Sequence, residues 1–108
     1  MNAVLRCLWM IALTSAVCPS WLAAQSDAAS LFKSKCVLCH APDGSGNSPS
    51  GKALKAKDLR SEETQKKSDA ELAQVITQGR NKMPAFGQKL NLGQIQQLVA
   101  YIHELAKK

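Results

Sequence analysis

Apolar residues recur at helical spacing in four stretches of the chain, and no stretch shows a convincing period of two. The first predicted helix starts at Ser26 or Asp27, either of which can cap it. Ala28, Leu31, Phe32 and Cys36 share one side of that helix, which runs into Cys36-Val37-Leu38-Cys39-His40. Residues 41–52 are rich in Gly, Pro, Ser and Asn and predict a loop wrapped around whatever that stretch holds. A short helix is expected over residues 61–67. A clearer one starts at Ser68, where Ser68 and Glu71 have the spacing of a capping box. Leu72, Val75 and Ile76 form its apolar face, and Gly79 is its expected stop. Residues 80–90 contain Pro84 and Gly87 and predict an irregular segment. Asn91 then caps a last helix, with Leu92, Ile95, Leu98, Val99, Ile102 and Leu105 in one broad stripe. Lys107 and Lys108 suit the negative end of its dipole. The pattern predicts an all-α fold, without internal repeats, heptads or a glycine-rich phosphate loop.

The first residues break the pattern. Arg6 precedes an apolar run over residues 7–17, and Leu22, Ala23 and Ala24 offer a cleavage site. The expected division is a signal peptide over 1–24 and a single domain over 25–108. The rival reading is a retained membrane anchor. The run is short for a span of about 20 residues, and Pro19 and Ser20 interrupt it. A lipid on Cys18 is disfavoured by the bulk of Val17 before it. After cleavage no stable membrane insertion is expected.

Cleavage changes the accounting. It removes Trp9, Trp21, Cys7 and Cys18, and lowers the net charge only from +6 to +5, since Arg6 is the sole charge lost. About 84 of the 108 residues remain. A chain of that size buries little core and usually needs a staple: a disulfide, a metal or a cofactor.

Cys36-Val37-Leu38-Cys39-His40 is a C-x-x-C-H sequence, which reads as an attachment site for one haem c. At helical pitch the two thiols lie on one face, one turn apart, and both can add to vinyl groups on one edge of a porphyrin. His40 follows and offers an imidazole nitrogen to the iron. A zinc site needs further ligands. A redox dithiol of the thioredoxin kind wants a βαβ setting, which the pattern lacks. A disulfide across so short a loop would constrain little chain.

Met83 is the candidate for the second axial position. It is the one methionine left after cleavage, in a polar segment stiffened by Pro84. Core filler is the bland alternative for a lone methionine. His103, off the apolar stripe of the last helix, is the rival ligand, and an open iron is the third possibility.

With these residues in view, the sequence resembles the small bacterial class I cytochromes c. The likeness spans nearly all of residues 25–108 and rests on CVLCH at 36–40, KMPAF at 82–86 and LVAYI at 98–102. The resemblance implies a cytochrome c fold, with three to four short helices enclosing one covalently bound haem c. It implies that Cys36 and Cys39 attach the haem and that His40 and Met83 are its axial ligands. Phe32 and Phe86 would line the haem, with Leu31, Leu72, Ile76, Leu98 and Ile102. Ala28, Phe32 and Tyr101 look like the contact between the first and last helices. Pro49 looks like the proline whose carbonyl orients the ligating histidine. The implied work is electron transfer in the periplasm, without enzymatic turnover, because six-coordinate iron leaves no place for a substrate. A haem subunit docked to a dehydrogenase or oxidase, or a ligand-binding haem with an open iron, are the alternatives.

Lysines at 33, 35, 52, 55, 57, 66, 67, 82 and 89 bracket these segments. They read either as a solvated surface or as a means of steering toward acidic faces of redox partners. No recognition motif or aromatic stacking pattern points to nucleic acid.

Overall fold

The computed structural model describes the backbone of residues 20–108, with side chains from Asp27 onward. The expected signal peptide, as far as residue 19, lies outside the described residues. Helix α1 (Ser20–Lys35) begins earlier than the caps at Ser26 and Asp27 predict. Residues 21–25 contain no glycine or proline, so nothing there stops a helix, and a polar residue that can cap one need not do so. At Cys36 the chain turns, and α2 (Val37–His40) carries the rest of the motif.

Helix α3 (Pro49–Leu54) corrects the expectation of a loop across residues 41–52. Pro49 and Gly51 look like breakers, yet proline is well suited to the first position of a helix, where no N–H is needed. The Ser48 side chain caps α3 by accepting from the Gly51 N–H at 2.9 Å. Helix α4 (Glu62–Gln65) is a single turn capped by Ser61, shorter than the predicted 61–67.

Helix α5 (Asp69–Gln78) starts and stops where predicted. Both halves of its capping box form: Glu71 N–H donates to Ser68 Oγ at 3.1 Å, and Ser68 N–H donates to Glu71 Oε2 at 2.7 Å. Replacing Ser68 by Ala is expected to lower stability by about 1 kcal/mol, read from denaturant unfolding. Helix α6 (Leu92–Leu105) has a second box, in which Asn91 and Gln94 cap each other.

The core gathers where α6 packs on α1 and α5. Phe32 is 2% exposed and Leu98 1%, and Leu72, Ile76, Ile95, Val99, Ile102 and Leu105 join them. The α1–α6 crossing holds the expected residues: Ala28 is buried, and the Phe32 and Tyr101 rings lie 5.1 Å apart, tilted by 46°. This crossing places the end of α1, and so the motif, against the core. Among the described residues there is no strand, and no helix is long and apolar enough to cross a membrane.

Candidate functional site

The motif is pinned from both ends. Cys36 N–H bonds to the Phe32 carbonyl at 2.9 Å, and His40 N–H bonds to the Cys36 carbonyl at 2.9 Å, so the turn of the motif continues α1. Cys36 and Cys39 are half-buried, and their thiols are not bonded to each other. On the far side, Ser48 Oγ donates to the Leu38 carbonyl at 2.8 Å. Gly51 brings α3 so close to α2 that any side chain there would collide with the Cys39 and Gly46 carbonyls. Helix α3, unread from sequence, is therefore the backing plate of the motif. Its sequence signal is Ser48-Pro49, a cap followed by a proline at the first helical position.

His40 is held by one contact. Its Nδ1 donates to the Lys57 carbonyl at 3.0 Å, because a carbonyl can only accept. This corrects the assignment of that role to Pro49. Pro49 heads α3, where a carbonyl points along the helix into its own ladder. The chain then returns beyond α3, tied by Ala56 N–H to the Gly51 carbonyl at 2.8 Å and by Leu59 N–H to the Gly44 carbonyl at 2.7 Å. That return brings Lys57 to the imidazole. Burial pulls the His40 imidazolium below its ordinary range, and the Lys57 carbonyl offsets this in part. The ring is thus favoured neutral with its hydrogen on Nδ1, which leaves the Nε2 lone pair for a metal.

Met83 sits in a defined turn. Arg80 and Met83 exchange both backbone hydrogen bonds, at 3.1 and 2.9 Å, across Asn81, whose φ is 53°. Gly79, with φ 73°, starts the turn, and a side chain there would run into the Met83 carbonyl. Phe86 N–H ties the following segment to the Ile76 carbonyl at the end of α5 at 2.9 Å. Met83, Phe86 and Cys36, all half-buried, pack against the same core cluster. His103 is engaged elsewhere. Its Nδ1 lies 3.0 Å from Gln65 Oε1 and its Nε2 lies 3.0 Å from Asp69 Oδ1, so neither nitrogen is left for a metal.

A family model described as cytochrome C oxidase, cbb3-type, subunit III, matches residues 23–102. Cytochrome c6 of a Synechococcus species is 31% identical over 107 residues, covering 94% of this chain and 93% of that protein. The chain belongs to the c-type cytochromes. Cytochrome c6 of Aphanizomenon flos-aquae is 40% identical over 82 residues, covering 72% of this chain and 86% of its own. That of Thermosynechococcus vestitus is 35% identical over 104 residues, covering 94% and 89%. The protein is a monohaem cytochrome with one covalently attached haem c, and its work is electron transfer.

The residues of this cytochrome fit that cofactor. Two unbonded thiols lie one turn apart, an imidazole has its far nitrogen free, and a thioether is packed against the shared core. Burial raises the Cys36 thiol from an ordinary 9.0 to about 11 in the folded chain. A chain with so few buried side chains is expected to stay largely unfolded without its haem, and Cys36 reports on this. In the apoprotein, alkylation of Cys36 is expected to rise with pH around the ordinary thiol value. A midpoint near 11 would show that the empty chain folds.

Proposed function

We propose that Cys36 and Cys39 bind the haem through two thioethers, with His40 Nε2 and Met83 Sδ as its axial ligands. The protein then carries single electrons between partners in the periplasm, after cleavage behind Ala24. Each thiol adds across a vinyl group, its sulfur to one carbon and its hydrogen to the other, so no oxidant is consumed. The haem supplies an iron that cycles between Fe(III) and Fe(II). The observation that carries the reading is the His40 ring, fixed by the Lys57 carbonyl at 3.0 Å immediately after the two thiols. The polypeptide holds the imidazole in one tautomer, shields the site with Leu72, Ile76, Leu98 and Ile102, and presents a thioether from the Arg80–Met83 turn. A soft thioether and an apolar surround both favour the reduced state.

The test is intact mass and colour after maturation in a host that assembles c-type cytochromes. A haem increment that survives denaturation is expected, at the mass of a chain beginning at Gln25. Colourless material at apoprotein mass defeats the reading.

Charge supports acidic redox partners. Lys57, Arg60, Lys66 and Lys107 are taken up by carboxylates. Lys33, Lys35, Lys52, Lys55, Arg80 and Lys82 pair with no carboxylate among the described residues. Those cations belong to the end of α1, to α3 and its cap, and to the Met83 turn. Leu38, 74% exposed between the two cysteines, adds an apolar contact at the motif. Such encounters are small and transient, below about 1,200 Å². Electron transfer to an acidic partner is expected to slow as salt rises. Reversing Lys33 and Lys35 to Glu is expected to slow it about tenfold at low salt. Rates flat across ionic strength count against this steering.

The family model's description favours a second reading, a haem subunit bound to an oxidase. Co-purification with a larger membrane enzyme through a salt wash is its sign.

A further inference from the structure

The carbonyl that orients His40 belongs to a three-residue segment whose carbonyls are all engaged. The Lys57 carbonyl accepts from His40 Nδ1 at 3.0 Å. The Asp58 carbonyl accepts from Thr64 Oγ1 at 3.2 Å, and the Leu59 carbonyl accepts from Gln65 Nε2 at 2.7 Å. The two side-chain donors are neighbours on α4. Thr64, 6% exposed, is the only buried polar residue among the described ones. Gln65 Nε2 also donates to the Ile102 carbonyl at 3.1 Å, and its Oε1 faces His103 Nδ1. The amide is thereby fixed in one orientation and braces the segment against α6.

We propose that Thr64 and Gln65 are positioning residues for the axial histidine: they hold the 57–59 segment so that the Lys57 carbonyl stays on His40 Nδ1. The inference rests on His40 being the iron ligand. A firm hold on Nδ1–H makes the imidazole a stronger donor at Nε2 and lowers the reduction potential. A loosened carbonyl does the reverse. A single-turn helix contributes little burial, so its two inward side chains account for its place in the fold.

The experiment uses the haem-loaded protein and reads two quantities, the solvent exchange of His40 Nδ1–H by NMR and the reduction potential. Gln65→Met keeps bulk and removes both donors. It is expected to speed exchange about tenfold or more and to raise the potential. Thr64→Val is expected to act in the same direction but less, because the Ser61 N–H also donates to the Asp58 carbonyl at 3.1 Å. Thr64→Ser keeps the hydroxyl and is expected to match wild type. Ser68→Ala, which loses stability without touching the segment, is expected to move neither reading. If Gln65→Met and Thr64→Val destabilise the fold while exchange and potential stay at wild-type values, the positioning role is wrong and the residues are structural only. If the oxidised wild-type protein shows no paramagnetic shift on the His40 ring, His40 is not the ligand, and the functional reading falls together with this inference.

Discussion

Met83→Ala is expected to erase the sulfur–iron charge-transfer band, lower the reduction potential and let the reduced protein bind carbon monoxide at neutral pH. Alanine has no donor atom, so the iron position proposed for Met83 would be left open. The Arg80–Met83 turn is made by backbone groups and by Gly79, so it survives the substitution and leaves a gap. The nearest rival cannot fill that gap cheaply. Moving His103 would break its contacts to Gln65 and Asp69, each at 3.0 Å. It would also pull on α6, which carries much of the core. Axial ligation sets haem potentials over a range of about 0.8 V, and loss of the thioether removes the soft ligand that favours Fe(II). Met83→His offers the opposite control: it keeps six-coordination, lowers the potential and excludes carbon monoxide. If the charge-transfer band persists in Met83→Ala, sulfur is not the ligand and Met83 is core filler. If wild type already binds carbon monoxide, the iron is open and the carrier reading gives way to ligand binding.

Some elements are legible from local side-chain signals and others are not. Helices α5 and α6 were legible because their starts are written in side chains: Ser68 with Glu71, and Asn91. Gln94 completes the second box with a neutral partner, outside the serine-glutamate pattern that drew attention to the first. The Phe32–Tyr101 contact was legible through the family resemblance and not through periodicity, since Tyr101 stands beside the apolar stripe of the last helix. Helix α3 was not. Its sequence reads as a run of breakers unless Ser48-Pro49 is taken as a start, and the role of Gly51 depends on a backbone approach between two helices that only folding reveals.

The partner of His40 was hidden for a different reason. The group that binds Nδ1 is a main-chain carbonyl, which every residue possesses, so residue type carries no trace of it. Pro49 carries that role only by resemblance to the family, whereas Lys57 has nothing in its side chain to betray it. The brace behind Lys57 follows the same logic. Thr64 and Gln65 look like ordinary polar residues on a short helix, and only the burial of one and the triple engagement of the other set them apart.

The covalent links produce the other large effect. With both Cys36 and Cys39 changed to Ser, the protein is expected to be recovered at apoprotein mass, without colour on a denaturing gel and without a cooperative melt. Each single change to Ser is expected to keep one thioether, the colour and the fold. The asymmetry follows from mass action. A dissociable ligand stabilises a fold only as RT ln(1 + [L]/Kd), so its help vanishes when free ligand is scarce. A tethered ligand helps at any concentration, and one tether is enough for that. The chain depends on this help because the core among the described residues is a single cluster of ten buried residues drawn largely from α5, α6 and Phe32 of α1. The motif side of the fold is held mostly by hydrogen bonds to Ser48, Gly51 and Lys57, which pull their full weight only when the site is filled and dry. A double variant that melts cooperatively at apoprotein mass would show the polypeptide core to be sufficient alone. Retained haem after denaturation of that variant would mean that the cofactor is attached through some group other than these two sulfurs.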